Sequence, residues 1–335
     1  MDDAPAPEAL LRMMTGYWLS KSLNVAAELG LADLLRDGPR TTDDLAGACG
    51  AHAASLYRLM RALASVGVFT EMQGRRFGLT PMAELLRSDV PGSMRSLARM
   101  YGSEQYRAWD DLLGSVRSGE PAFDRVFGAS YFEFLAKTPQ ADAVFNDAMT
   151  GWTTQVADAV ASAYDFAGFD TVVDVGGGHG LLITTILRAN PTLRGVLLDL
   201  PHVIAGARPL IQAAGLEDRC ETVGQDFFQS VTEGGDAYVL AQILHDWDDE
   251  RARTILLNCK RAMRPDGKIL VVEQVLSPAN EPSFGKWLDL HMLVLLTGRE
   301  RTEAEYAALF ETAGLRLANV IPTASGASII EGVRS

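Results

Sequence analysis

The feature that most constrains this chain is the stretch TVVDVGGGHG at residues 171–180, in which an apolar segment runs into a cluster of glycines. The apolar segment predicts a buried strand. The glycines predict a tight turn whose backbone can lie against a ligand and adopt positive φ angles. A second predicted strand ends in Asp199, whose carboxylate can accept hydrogen bonds from ribose hydroxyls. Strand, glycine turn, helix, strand and acid together indicate a nucleoside-binding crossover in an α/β sheet.

Composition and charge narrow the class of protein. The 335 residues are enough for two domains, and 47% apolar with 22% charged residues is typical of a globular protein. A net charge of −13 argues against a nucleic-acid partner and against an anionic membrane surface. Three widely spaced cysteines favour neither a disulfide framework nor a metal site, so no metal is expected. The acidic N-terminal stretch is unlike a signal peptide, and we expect a cytoplasmic protein.

Two regions of different character follow each other along the chain, and we predict domains at residues 1–165 and 166–335. In the first, Leu10–Leu29 is apolar and helix-forming, and Ala53–Val66 places its apolar residues on one face. A predicted two-stranded ribbon, turned at Gln73 and Gly74, follows these helices in the order of a winged helix. Residues 41–90 contain five arginines and five acids, a balance that argues against DNA binding and favours a structural or dimerising role.

Residues 166–335 alternate between predicted strands and helices, which indicates a doubly wound α/β sheet with a late hairpin. The predicted strands are Thr171–Val175, Gly195–Asp199, Cys220–Val223, Ala237–Ala241, Lys268–Gln274, Leu315–Val320 and Ser328–Gly332. The main predicted helices are Leu181–Ala189, Val203–Ala214, Asp249–Met263 and Glu303–Ala313. Asp248 is expected to cap the third of these helices rather than to bind a metal.

Three loops that follow consecutive strands carry groups able to contact a ligand. They lie at the carboxyl edge of this sheet, where open α/β sheets bind ligands. The glycine loop is the first, Asp199 closes the second, and GQDFF at residues 224–228 is the third. In the third loop Asp226 can accept from an adenine amino group while Phe227 covers the ring. Because Leu181 replaces the last glycine of a dinucleotide-binding motif, we expect a single nucleoside, and adenosine is the natural candidate.

His245 follows the next predicted strand at the same edge of the sheet and is the candidate general base. Asp246 adjoins it and can bind a substrate hydroxyl. A histidine base needs an acceptor on its other ring nitrogen to fix its tautomer. Glu273, near the end of an apolar strand, and Glu300, just before a helix, are the two candidates for that acceptor, and the choice between them stays open.

The motifs DVGGGHG, LLDLPHVI, GQDFF, ILHDWDDE and GRERTEAEY resemble, in this order, those of S-adenosylmethionine-dependent O-methyltransferases of the plant caffeate type. Bacterial relatives of those enzymes methylate secondary metabolites. The resemblance covers nearly the whole chain. It implies a Rossmann-like methyltransferase sheet joined to an N-terminal, mostly helical winged-helix dimerisation domain, and a homodimer with intertwined N-terminal helices.

The resemblance also implies roles for individual residues, with His245 as the catalytic base and Glu273 and Glu300 beside it. The candidate cofactor-binding residues are Asp174, Gly176, Gly178, Asp199, Leu200, Asp226, Phe227, Ala241, Gln242 and Thr153. The candidate substrate-binding residues are Met149, Phe145, Asp246, Trp109 and Met292. Ala241 and Gln242 stand where the plant enzymes usually carry a lysine by the cofactor and a pocket tryptophan.

These observations predict methyl transfer from S-adenosylmethionine to a hydroxyl, foremost a phenolic one, of a small aromatic metabolite. His245 would remove the proton of that hydroxyl as its oxygen attacks the methyl group. Two alternatives stay open. The fold can serve another reaction on a bound molecule, such as decarboxylation, hydroxylation or a pericyclic step, because fold does not dictate chemistry. The winged helix can also belong to a ligand-responsive regulator.

Overall fold

The computed structural model describes residues 5–335, which form two compact units. The first unit comprises the chain up to Arg107 together with Thr138–Trp152, and the second comprises Ala108–Lys137 and Thr153–Ser335. The chain therefore passes between the units more than once, and no single cut separates them. The domain boundary expected at residue 165 stays a prediction.

The first unit is mostly helical and carries a small antiparallel sheet. Its helices are α1 (Ala6–Met14), α2 (Gly16–Glu28), α3 (Leu31–Leu34), α4 (Thr42–Cys49), α5 (Ala53–Ser65), α6 (Pro81–Glu84) and α7 (Arg95–Gly102). Its strands are β1 (Arg40–Thr41), β2 (Phe69–Met72) and β3 (Arg76–Leu79), in the order β1-β3-β2. The predicted ribbon is confirmed, and its turn has positive φ at Gly74 and Arg75. The short strand β1 was not predicted.

The apolar stretch Leu10–Leu29 is helical as expected, but it is divided into two helices at Thr15. The Thr15 hydroxyl donates to the carbonyl of Leu11 at 2.8 Å, a local bond that competes with a regular helix. The core of the unit lies elsewhere, among fully buried side chains such as Leu31, Leu45 and Met60. The apolar side chains of α1 and the start of α2 take no part in this core.

The second unit is built on a seven-stranded sheet. Its strands are β4 (Thr171–Val175), β5 (Arg194–Asp199), β6 (Cys220–Gly224), β7 (Ala237–Ala241), β8 (Lys268–Glu273), β9 (Leu315–Pro322) and β10 (Ser328–Arg334). Their order is β6-β5-β4-β7-β8-β10-β9. Neighbouring strands from β6 to β8 are parallel, whereas β10 is antiparallel to both β8 and β9. The doubly wound α/β sheet with its late hairpin is confirmed.

The remaining helices lie wholly or partly in the second unit. They are α8 (Glu104–Trp109), α9 (Leu112–Ser118), α10 (Ala122–Phe127), α11 (Tyr131–Lys137), α12 (Pro139–Ala163), α13 (Leu181–Ala189), α14 (Pro201–Ala213), α15 (Asp249–Ala262), α16 (Phe284–Leu295) and α17 (Glu303–Thr312), of which α8 and α12 are shared between the units. Helix α13 packs on β4 and β5, and α14 on β5 and β6. Asp248 caps α15 as predicted, because its carboxylate accepts from the Arg251 amide at 2.9 Å.

The strand order determines where a ligand site can form. The chain proceeds from β4 through β5 to β6 on one side and then returns to place β7 on the other side of β4. The switch point therefore lies between β4 and β7, and crevices outside such points are the usual ligand sites of open α/β sheets. The loop after β4 carries the glycines and the loop after β7 carries His245.

Within residues 5–335, no helix is both long and apolar enough to cross a lipid bilayer.

Candidate active site

The glycine loop after β4 is shaped by packing on one side and by backbone conformation on the other. A Cβ atom placed at Gly176 would lie 2.5 Å from Cδ1 of Ile243, and one at Gly177 would lie 2.5 Å from Cγ of Asp174. Gly178 has φ of 57°, a conformation that L residues rarely adopt, and a Cβ there would have no described heavy atom within 4 Å. The loop is thus packed closely against the protein at Gly176 and Gly177, while Gly178 borders open space that a ligand can fill.

Asp199, at the end of β5, ties two of the predicted cofactor loops together. Its Oδ2 accepts from the amide of Gly178 at 2.8 Å, and its Oδ1 accepts from the amide of Leu200 at 2.7 Å. A carboxylate oxygen has lone pairs for more than one donor, so these two bonds leave capacity for ribose hydroxyls. Burial raises the pKa of Asp199, although the two amide bonds act in the opposite direction.

Asp174 is the strongest indication that the loop is built to receive a polar group. The residue is 1% exposed, and neither of its carboxylate oxygens has a hydrogen-bond partner among the described residues. Burial, and secondarily the charge of Asp199, raise the pKa of Asp174 to about 7, although the nearby Ile183 amide, too poorly aligned for a regular hydrogen bond, acts in the opposite direction. A buried carboxyl without a donor is costly. The loop therefore fits a ligand that supplies hydrogen-bond donors and positive charge, as the aminoacyl end of S-adenosylmethionine does.

The third loop meets the first where the predicted adenine-binding residues lie. Cε1 of Phe227 would be 3.4 Å from a Cβ at Gly176, so the aromatic ring borders the glycine loop. Asn258 holds this loop in place by donating to the carbonyls of Phe227 and Phe228, both at 2.9 Å. The Asp226 carboxylate caps the loop internally, accepting from the amide of Phe228 at 2.9 Å.

The end of β7 turns sharply at the two positions where the plant enzymes carry a lysine and a tryptophan. Ala241 is the last residue of β7, and Gln242 has φ of 56°, which is unusual for a residue with a side chain. The amide of Gln242 still donates to the carbonyl of Val272 in β8 at 3.0 Å. This turn directs the following residues away from the sheet and into a short 3-10 helix at Leu244–Asp246, which carries the candidate base.

Glu273 holds the backbone of the 3-10 helix and does not contact the imidazole of His245. Its Oε1 accepts from three successive amides, those of Ile243 at 3.1 Å, Leu244 at 2.6 Å and His245 at 3.2 Å. Its Oε2 accepts from the hydroxyl of Tyr306. Of the two candidate acceptors for the His245 ring nitrogen, Glu273 is therefore not the one in contact with it, because its partners are three backbone amides and a tyrosine.

Glu300 is the carboxylate that contacts the ring of His245. The His245 Nδ1 and Glu300 Oε1 atoms are 2.6 Å apart, and the Glu300 side chain is fully buried. Glu300 Oε2 has no hydrogen-bond partner among the described residues, so the imidazole is the group that compensates its charge. Because Nδ1 faces Glu300, the other ring nitrogen, Nε2, lies on the side of Asp246, whose Oδ1 is 3.5 Å away.

The carboxylates around His245 make it a strong base. Burial alone would lower the pKa of His245, but the charges of Glu300 and Asp246 raise it to about 10. Burial in turn raises the pKa of Asp246 to about 7, an effect that the charge of His245 opposes. The resting protein therefore holds an imidazolium at neutral pH. The imidazole that can accept a proton becomes more abundant as the pH rises.

Trp109 and Met292, two candidate substrate-binding residues, flank a histidine that sequence analysis missed. The indole Nε1 of Trp109 donates to Nδ1 of His291 at 2.9 Å, and the two rings stack 19° from parallel. Burial, and secondarily the charge of His245, lower the pKa of His291 to about 4. His291 is therefore neutral at pH 7, with its proton on Nε2. A lone histidine inside the apolar helix α16 is the signal that could have identified it.

The remaining predicted residues lie on α12. Phe145 and Met149 belong to the first unit, where they pack beside Leu97 and Met100. Thr153 belongs to the second unit. Their roles in substrate and cofactor binding stay predictions. Within the part of the chain that the structure describes, no three histidine, cysteine or acidic side chains are grouped so as to hold a metal ion.

The family is shown by two matches that together cover most of the chain. Residues 109–316 match the model of the O-methyltransferase domain, and residues 11–89 match that of the O-methyltransferase dimerisation domain. The chain belongs to this O-methyltransferase family and is an S-adenosylmethionine-dependent methyltransferase.

Relatives of the chain include a phenazine O-methyltransferase and a 6-O-methyltransferase of mitomycin biosynthesis. The chain is 55% identical over 327 residues to the phenazine O-methyltransferase PhzM of Lysobacter antibioticus, a match that covers 98% of this chain and 96% of the relative. It is 40% identical over 335 residues to a mitomycin biosynthesis 6-O-methyltransferase of Streptomyces lavendulae, covering 99% of this chain and 95% of that protein.

Solved structures confirm the fold and connect it to the cofactor. The crystal structure of LaPhzM superposes with a TM-score of 0.96 at 54% identity, covering 99% of this chain and 100% of the other. The O-methyltransferase NcsB1 of neocarzinostatin biosynthesis, solved with S-adenosylmethionine and 2-hydroxy-5-methyl naphthoic acid, has a TM-score of 0.81 at 36% identity. That match covers 95% of this chain and 96% of NcsB1.

The Asp199 geometry gives a prediction about cofactor affinity. Asp199→Ala removes both amide ties of the loops and the acceptors for ribose, and we expect it to weaken binding of S-adenosylhomocysteine by about 1.5–3 kcal/mol. Asp199→Asn keeps one acceptor oxygen and should lose less. Titration calorimetry measures both variants, with circular dichroism to verify that they are folded. An unchanged dissociation constant in folded Asp199→Ala would remove this residue from the cofactor site.

Proposed function

We propose that the enzyme transfers a methyl group to a hydroxyl, foremost a phenolic one, of a small aromatic metabolite, with His245 as the general base. The observation that carries this proposal is the buried contact of 2.6 Å between His245 Nδ1 and Glu300 Oε1. It fixes the ring so that Nε2 is the nitrogen available for proton transfer. A methyltransferase that acts on an already ionised acceptor would have no need for such an arrangement.

The raised pKa of His245 matches the demands of a phenolic acceptor. A phenol has a pKa near 10 and is therefore mostly protonated at neutral pH, where it is a poor nucleophile. Because the imidazole of His245 also has a pKa of about 10, transfer of the phenolic proton to Nε2 is close to thermoneutral. Glu300 then stabilises the imidazolium that forms. Bound S-adenosylmethionine supplies the electrophilic methyl group for the resulting oxygen nucleophile.

Asp246 is suited to hold the acceptor hydroxyl beside the base. Its Oδ1 is 3.5 Å from Nε2 of His245, a distance at which one hydroxyl can contact both atoms. The side chain is partly exposed, unlike that of Glu300. We infer that Asp246 orients the hydroxyl while His245 takes its proton, so that the two adjacent residues have different roles in one step.

The similarity to enzymes of phenazine and mitomycin biosynthesis, and to NcsB1 with its bound hydroxy-naphthoic acid, supports a planar aromatic acceptor. The neighbourhood of His291 agrees with this class. A stacked indole and imidazole offer a flat apolar surface, and Met292 beside them is buried and apolar.

The exposed N-terminal helices support a homodimer. Six large apolar side chains of α1 and the start of α2 are each more than half exposed, namely Leu10, Leu11, Met13, Met14, Tyr17 and Trp18. Contiguous apolar surface of this kind marks a protein interface. Residues 11–89, which include most of these side chains, match the O-methyltransferase dimerisation domain. We propose that a second copy of the chain covers this surface in an obligate homodimer.

Sedimentation at low micromolar concentration tests the dimer. We expect a species of about twice the chain mass of 36.2 kDa. Replacing Met13 and Trp18 by glutamate places charges on the exposed apolar surface, so the double variant should sediment as a smaller species or aggregate. A stable monomer of the unmodified chain under these conditions would contradict the proposal.

Methyl transfer itself is tested with hydroxylated phenazines and naphthoates and with S-adenosylmethionine labelled in its methyl group. We expect a product heavier by one methyl group, with the label on oxygen, and the same rate in the presence of a chelator. Matched acceptors that carry an amine or a methyl ether in place of the hydroxyl serve as controls. Loss of carbon dioxide, gain of oxygen or an isomerised product would favour a repurposed fold, and binding to DNA without turnover would favour a regulator.

The role of His245 is tested in the same assay. His245→Ala should lower turnover by about 10²–10⁴, the usual contribution of a general base, while leaving cofactor affinity nearly unchanged. The loss should stay nearly constant below about pH 9, because the neutral imidazole of His245 and the phenolate become more abundant with pH at the same rate. Glu300→Gln should fall between the wild type and His245→Ala. Turnover of His245→Ala at the wild-type rate from about pH 6 to 9, where a phenol is still mostly protonated, would show that the proton goes elsewhere.

A further inference from the structure

Arg301, the residue after Glu300, is fully buried and has every donor occupied. A guanidinium group has five N–H donors in a rigid planar fork. Two of them bond to one carboxylate: Nε and Nη2 donate to Oδ1 of Asp249 at 3.1 and 2.8 Å. The other three bond to backbone carbonyls, those of Leu244 at 3.2 Å, Trp247 at 3.1 Å and Arg299 at 3.3 Å.

The three carbonyls belong to the two segments that carry the catalytic pair. Leu244 precedes His245 in the 3-10 helix, and Trp247 follows that helix directly. Arg299 precedes Glu300. One planar group therefore joins the backbone beside the base to the backbone beside the carboxylate that orients it. We propose that Arg301 is a positioning residue that sets the separation between His245 and Glu300.

Arg301 and Glu273 hold the 3-10 helix from complementary sides. Glu273 Oε1 accepts from the amides of residues 243–245, and Arg301 donates to carbonyls of residues 244 and 247. A single turn of 3-10 helix satisfies few of its own backbone groups, so it needs partners of both kinds to persist in a buried place. Glu273 supplies an acceptor for the amides, and Arg301 supplies donors for the carbonyls.

The charge of Arg301 is compensated without involving the catalytic pair. Asp249, in the first turn of α15, bonds to Arg301 through Oδ1 and to Arg299 through Oδ2 at 2.7 Å. Although partial burial raises it, these arginines hold the pKa of Asp249 below its ordinary value. The ion pair with Asp249 therefore persists at neutral pH. Arg301 does not bond to the Glu300 carboxylate, whose side-chain partner is His245.

Lysine cannot replace Arg301 in this role. A lysine ammonium has three donors on a flexible stem, whereas the site presents one carboxylate oxygen and three carbonyls to a planar fork. Arg301→Lys keeps the charge but has too few donors for all four acceptors. The neighbouring Arg299 offers a matched control. Its side chain is about half exposed and bonds to Asp249 and Glu305 rather than to the 3-10 helix.

The test compares Arg301→Lys with Arg299→Lys in the holoenzyme, and it rests on the proposed function of His245. We expect Arg301→Lys to lower kcat by about 10- to 100-fold, the effect of a displacement near 1 Å in the reacting groups. The KM for S-adenosylmethionine should change by less than about twofold, because the cofactor loops do not contact Arg301. Arg299→Lys should retain the wild-type kcat.

The pH dependence separates positioning from mere stability. If Arg301 sets the contact between His245 and Glu300, its loss weakens the carboxylate's effect on the imidazole. Glu300 and Asp246 raise the pKa of His245, so the rise of kcat/KM for the acceptor should occur at lower pH in Arg301→Lys than in the wild type. A stability role alone would lower Tm and leave this profile where it is.

Two results would overturn the inference: an unchanged pH profile with wild-type kcat in folded Arg301→Lys, or equal losses in both lysine variants. Nitrogen-15 spectra of the His245 ring keep the inference separate from the proposed function. If His245→Ala turns over normally, the proposed base is wrong. In that case, a shift of the His245 resonances in Arg301→Lys still supports Arg301 as the residue that positions the pair. Resonances that do not move refute the inference.

Discussion

The site depends on one buried contact, between the imidazole of His245 and the carboxylate of Glu300. Taking a carboxylate out of water is costly, and Glu300 has its second oxygen unpaired among the described residues, so its charge is stabilised chiefly by the imidazolium. The same coupling gives His245 enough basicity to take a proton from a phenol. The buried pair is most stable when His245 is an imidazolium, but an imidazolium cannot act as a general base. Stability and catalysis therefore favour opposite protonation states of His245.

The architecture brings this pair to the cofactor loops through topology rather than through local sequence. Parallel strands β4 and β7 are neighbours on either side of the switch point, so the loops that follow them meet at one edge of the sheet. Ile243, two residues before the base, packs against the glycine loop so closely that a side chain at Gly176 would force it to shift. The loop that approaches the cofactor and the turn that carries the base are thus in direct contact.

Most of the fold and the main members of the site could be predicted from the sequence, because periodic apolar strands and glycine turns report local structure directly. Strands β4 and β7 and helix α13 were predicted with their observed bounds. The partners of buried polar groups could not be predicted in the same way, since they depend on which segments meet in three dimensions. Glu273 and Glu300 were equivalent candidates in the sequence, and only the structure separates the backbone partner from the ring partner. Arg301 was missed for the same reason.

The most direct measurement of the central claim is the titration of the His245 imidazole by nitrogen-15 NMR in the wild type and in Glu300→Gln. If Glu300 compensates the imidazolium, His245 titrates well above its ordinary value near 6.5 in the wild type, and the removal of that charge lowers the pKa markedly. The ring nitrogens also report the tautomer, with Nε2 losing its proton as the pH rises. A wild-type pKa at or below the ordinary value, unchanged by Glu300→Gln, would contradict the account.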